Sequence, residues 1–304
     1  MPGTFFGPYS ERDKTYASIT SNANLGRFPM GHTLILPDGR EFKFALNDGT
    51  VEVAGNLYQS VAAVTGHTNI VADVARAIAA TAISATLNTT AAAIDIYAEG
   101  MVHPNDVDGE GYAYRIKRAR SSGAAHAAAT STGILTVNLE SDESVQVALT
   151  TSSEVSFTRN RYHQVLIHAS PPTAGLAGVS PGVAAADRFY WSQVKGYAAV
   201  LASGTLLAGL PVMAGITTNG TVESTKRRLV GAGTTALLTT TAHTVVYLQD
   251  QDGTTTTYGI VTTSAGLTTA MDVTGPIAQN APTVGMCIKA NATTEYALID
   301  LDIK

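Results

Sequence analysis

One cysteine, one tryptophan and a charged fraction of only 14% are the scarcities of this 304-residue chain. A lone Cys287 excludes any intrachain disulfide, and its neighbours Met286 and Ile288 mark a buried, inert thiol. Soluble domains usually carry roughly 25% charged residues, so here Thr, Ser, Ala and Gly must cover much of the surface, which suits an assembly better than a free monomer. The net charge of −5 gives the chain no summed attraction to nucleic acid or to an anionic membrane. Nowhere do about 18 apolar residues run uninterrupted, and the start lacks a basic segment followed by an apolar one, so neither a membrane span nor a secretion signal is expected. The histidines at 32, 67, 103, 126, 163, 168 and 243 show no H-E-x-x-H or Cys/His spacing. His163 and His168, five apart on an expected strand, point to opposite faces, so no metal and no cofactor are expected.

What the chain does have is 45% hydrophobic residues, 28 glycines and long Thr tracts. That is enough apolar material for a sizeable core, and β-branched tracts punctuated by Gly and Pro predict a mainly β protein built from antiparallel sandwich or barrel domains. Residues 1–29 mix Phe5, Phe6, Tyr9, Tyr16 and Phe28 with Gly, Pro, Ser and Asn and show no period, which predicts an extended N-terminal arm packing on a neighbouring surface. Residues 30–170 form the expected N-terminal domain, β-rich with one helix. Within it Leu34 to Leu36, the turn Pro37-Asp38-Gly39 and the alternation Phe42, Phe44, Leu46 predict a hairpin, and a second turn at Asn47-Asp48-Gly49 leads into Val51 and Val53. Ile70, Val71, Val74, Ala77 and Ile78, preceded by Thr68 as a cap, predict the helix over 69–85. Strand signals follow at 94–97, 112–116, 134–139, 145–149, 155–157 and 165–167, with a loop over 121–132. The Pro/Gly stretch 171–185 is the expected linker to a C-terminal β-domain over 186–304, whose last strand alternates Ile299, Leu301 and Ile303 with Asp300 and Asp302.

Chemical motifs are weak. Gly178-Val179-Ser180-Pro181-Gly182 has the G-x-S-x-G form of a hydrolase nucleophile elbow, but Pro181 stands where the oxyanion-binding N–H is required. An esterase built on Ser180 is therefore a rival, not the expectation, and the chain is read as a non-enzyme. Asp106, Asp108 and Glu110 share a Gly-rich turn that lacks calcium-loop spacing, and a solvated turn is the reading preferred. Two basic clusters, Arg115-Lys117-Arg118-Arg120 and Lys226-Arg227-Arg228, fit either solvated strand edges or a docking patch for an acidic protein partner. Nucleic acid is disfavoured, since the net charge opposes it and no aromatic interleaving accompanies the basic residues.

The stretch Tyr97-Ala98-Glu99-Gly100 through Asn105-Asp106 and Gly109-Glu110-Gly111-Tyr112 to Lys117 resembles a segment of tailed-bacteriophage virion proteins. The run Phe189-Tyr190-Trp191-Ser192-Gln193-Val194-Lys195-Gly196, with Gly204-Thr205 and Gly209-Leu210-Pro211-Val212, resembles the small β-domains of capsid decoration, or cement, proteins. The resemblance implies a β-rich homotrimer on the outer surface of the virion head that bridges major capsid protein subunits, without membrane or nucleic-acid partners. Phe5, Phe6, Tyr9, Tyr16, Arg115, Lys117, Arg118 and Arg120 are the expected contacts. A tail, baseplate or receptor-binding virion protein is the alternative.

Overall fold

The computed structural model describes residues 18–19, 28–118, 124–225, 229–230, 244–249, 255–260, 281–292 and 294–303. In chain order the strands begin with β1 (Ser18–Ile19), β2 (Thr33–Ile35), β3 (Glu41–Leu46) and β4 (Leu57–Gln59). There follow β5 (Ile70–Val71), β6 (Ala82–Thr86), β7 (Met101–Asp106), β8 (Tyr114–Arg115), β9 (Ile134–Asn138) and β10 (Glu154–Thr158). Then come β11 (Leu166–Ile167), β12 (Leu176–Val179), β13 (Arg188–Leu201), β14 (Pro211–Ala214) and β15 (Val222–Ser224). The last are β16 (Leu229–Val230), β17 (Thr244–Gln249), β18 (Thr255–Ile260), β19 (Thr283–Lys289) and β20 (Tyr296–Asp302). All strand pairings are antiparallel, as the β sandwich or barrel class requires.

An 11-stranded sheet, curled into a half-barrel, organises the molecule around β13. Its 14 residues pair with β3 from Phe189↔Leu46 to Lys195↔Glu41 and with β20 from Lys195↔Asp302 to Leu201↔Tyr296. The expected hairpin is β2–β3, and its turn closes where the Gly39 N–H donates to the Leu36 carbonyl at 2.9 Å. Phe44 lies at the centre of its buried side, stacked on Phe189 with centroids 5.0 Å apart and edge-on to Trp191 at 5.0 Å. A second cluster, with Val200, Val212, Val284, Cys287, Ile299 and Leu301, fills the other half of the sheet and buries the single thiol. The final strand alternates as expected, with Ala297, Ile299 and Leu301 inward.

Strands β5 to β10 build a separate body with its own core of Ile83, Tyr97, Ile116, Leu135, Val155 and Phe157, in sheets ordered β5-β10-β7-β8 and β6-β9. The expected division of the chain therefore changes. The main sheet draws strands from both sides of the second body, and 171–185 is no bare linker, because it contains β12, buried along its whole length between β4 and β13. Gly178 makes that fit possible: at φ +125° an added Cβ would lie 2.7 Å from the Gln193 carbonyl oxygen.

The expected helix over 69–85 is absent, and no helix occurs among the described residues. Val71, Val74 and Ile78, three positions of its supposed apolar face, are exposed, whereas Ile70 and Ala72 are buried in a period of two. Ile70 and Val71 pair instead with Val155 and Glu154 of β10, and Ala79 takes φ +68°, which no helix interior accommodates. Pairing with a strand more than 80 residues away overrides a weak local period. The signals at 94–97 and 145–149 likewise form no strands: the first is a turn that buries Tyr97, and the second is irregular. Residues 124–132 are loop, as expected.

Candidate functional site

Phe5, Phe6, Tyr9 and Tyr16 lie outside the described residues, as do Arg120 and the 226–228 cluster. The root of the arm is placed: Ser18 and Ile19 pair with Phe189 and Arg188 at the start of β13. Downstream, Phe28 stacks on His32 (5.3 Å between centroids) and tilts against Trp191 (5.5 Å), so the aromatic chemistry of the arm continues into the core.

The structure disperses the basic run. Arg118 is half-buried: its Nε lies 2.8 Å from Glu99 Oε1 and its Nη2 donates to the Phe28 carbonyl at 2.8 Å. The other Glu99 oxygen accepts from the Met30 N–H at 2.6 Å. This ion pair clasps the end of the arm to the second body. Burial raises the Glu99 carboxyl above its ordinary value, and Arg118 pulls it back only in part. Arg115 faces Glu140 and Asp142 at 3.9 and 4.0 Å, while Glu143 accepts its backbone N–H. Lys117 is exposed. Two of the four expected docking residues, Arg115 and Arg118, thus face carboxylates of the chain itself.

A different surface on the main sheet has the composition of an interface. A broad groove of about 1370 Å³ is bordered by Arg40, Lys195, Tyr197, Met286, Asp300 and Asp302. Tyr197 is 57% exposed and Met286 42%. Tyr, Met and Arg are enriched at interface cores because they bring large contact area with a polar handle. The outward phase of Tyr197 on β13, alternating with the inward Ala198 and Val200 that follow it, is the sequence signal that could have found it.

The remaining motifs resolve into structural roles. Ser180 is buried, and its Oγ donates to the Gly182 carbonyl at 2.6 Å. Its neighbour across the sheet is Glu52, 1% exposed, whose backbone pairs with Ala184. Burial pushes the Glu52 carboxyl up to about 8; Tyr190 and Ser180 favour the charged form too weakly to reverse this, and neither carboxyl oxygen has a hydrogen bond of regular geometry. In the acidic turn, Asp106 accepts from the Val107 N–H and Asp108 from the Thr150 hydroxyl, and no group of three metal-binding side chains occurs among the described residues. His168 bridges the Gly215 carbonyl and the Gly220 N–H, and His163 is buried with its pKa lowered to about 4 by desolvation. No spacing in the chain signals that His67, Tyr97 and His126 meet: the Tyr97 hydroxyl bonds His67 Nδ1, and His126 Nε2 accepts from the Tyr97 N–H at 3.0 Å.

No protein-family model, curated protein or solved structure matches this chain.

Proposed function

We propose that this chain is a virion structural protein that decorates the outer head shell of a tailed phage, bridging and cementing neighbouring major capsid protein subunits as a homotrimer. The observation that carries the reading is the root of the arm. The aromatic-rich N-terminal sequence joins the main sheet through the two-residue strand Ser18–Ile19, whose main-chain pairing anchors it beside the start of β13. The groove bearing Tyr197 and Met286 among Arg40, Lys195, Asp300 and Asp302 gives the folded body a mixed apolar and charged contact surface of its own. Cementing needs no strong single contact, because an interface of about 1,600 Å² repeated over a shell sums across many copies.

Deletion of residues 1–17 tests the reading while sparing β1 and the core residue Phe28. The truncated chain is expected to keep its fold and to lose at least tenfold in retention on empty head shells. Full retention would remove the arm from the mechanism. Failure of the full-length chain to bind shells at all would overturn the cement reading and favour a tail or receptor-binding role.

A further inference from the structure

We propose that the cavity between the main sheet and the second body is a binding site for an organic carboxylate with an apolar body. Its volume is about 380 Å³, within the size of small-molecule pockets, and it is reached by both Arg159 and Arg161. Its remaining wall is mostly apolar: Val61, Val64, Phe157, Leu176 and Ile303. No Asp or Glu lines it, and among the described residues no carboxylate forms an ion pair with either arginine.

The donors are poorly spent. Arg159 uses Nη1 on the Gln164 side chain at 2.9 Å, while its Nε is buried without a hydrogen-bond partner. Arg161 directs Nε and Nη2 at the single carbonyl oxygen of Leu176. Desolvation disfavours the charge on Arg159, yet a guanidinium does not give up its proton in a protein. Both guanidinium groups are half-buried at the cavity wall with no carboxylate facing them, and a bound carboxylate would supply the counter-charge by accepting from their forks. Tyr97, whose hydroxyl burial pushes up to about 12, stays neutral at the same wall; its hydroxyl donates to His67 Nδ1 and so adds no competing negative charge beside Arg159. The arginines fix the head of the ligand and the apolar wall takes its body. The same chemistry is offered by a free short-chain fatty acid and by the C-terminus of a protein chain ending in an apolar residue.

Isothermal titration of the full chain with hexanoate, with hexan-1-ol, and with a hexapeptide ending in Val-Leu as free acid and as amide tests the proposal and separates the two sources. Hexanoate is expected to bind at least tenfold more tightly than hexan-1-ol. If the free-acid peptide binds tighter still and its amide does not, the source is a protein C-terminus; if hexanoate alone binds, it is a small molecule. Arg159→Gln is expected to cost at least tenfold. Because Arg159 also holds Gln164, Ala63→Glu provides a second variant that keeps both arginines and brings a carboxylate to the lining. It is expected to abolish hexanoate binding while raising the melting temperature. Equal binding of acid and alcohol, no binding of any of the four, or unaltered hexanoate affinity in both variants would overturn the site.

Discussion

Glu52→Gln should remove a fall of stability with rising pH between about 4.5 and 8. In the folded chain the Glu52 carboxyl titrates near 8, against 4.5 for its ordinary value, because it is 1% exposed and lacks regular hydrogen bonds. Between those two values the unfolded chain has released this proton and the folded chain retains it, so folding takes up a proton and stability falls as pH rises. The full contribution is present below 4.5 and is lost as pH climbs through 8. One proton corresponds to about 1.4 kcal/mol per pH unit, so the loss across that window approaches roughly 5 kcal/mol as an upper bound. His32, His126, His163 and His168, all held below their ordinary values by burial, act in the opposite sense but on the acid side, where stability rises with pH as the unfolded histidines lose their protons. Glutamine imitates the neutral carboxyl and does not titrate. Urea unfolding of both proteins from pH 5 to pH 8.5 should give a difference, variant minus parent, that grows with pH by about 1 kcal/mol per unit. Parallel curves would refute the assignment of a neutral, buried Glu52.

Other substitutions probe the packing. Glu99→Gln removes the carboxylate charge that faces the half-buried Arg118, and urea unfolding should show a loss of about 1–3 kcal/mol, together with easier proteolysis near Phe28, whose carbonyl Arg118 holds. Phe44→Ala empties the ring cluster with Phe189 and Trp191 and should cost about 3–5 kcal/mol, visible as a shift of the urea midpoint and a change in Trp191 fluorescence. His163→Gln should flatten the acid limb of the stability profile between pH 6.5 and 4, because the buried neutral imidazole must otherwise be protonated on unfolding.

The parts of this fold that were legible in the sequence are those whose determinants are local. Pro37-Asp38-Gly39 between alternating apolar residues specifies β2–β3, and the Ile299/Leu301 alternation specifies β20. The helix over 69–85 misled because an Ala-rich stretch satisfies a helical period by chance, while the partner that decides its fate, β10, lies far along the chain. Glu52 was hidden in a different way. In Val51-Glu52-Val53 the valines are 54% and 47% exposed and the glutamate is buried, the reverse of what hydrophobicity favours. Such an inversion of phase becomes visible only once Tyr58, Ser180 and Tyr190 are brought around it. The arginine cavity was equally hidden, since its wall gathers residues from 60–64, 97, 157–161, 175–176, 282–283 and 303. Arg115 and Arg118 looked like free charge because the acidic residues that face them arrive from other turns, at 99 and 140–143.

The cement proposal stands or falls on co-sedimentation of the purified full-length chain with empty tailed-phage head shells stripped of decoration, read together with its own mass and the shells' melting temperature. A trimer that saturates the shells and raises their melting temperature is the predicted result. A monomer that leaves occupancy and melting unchanged would contradict the account.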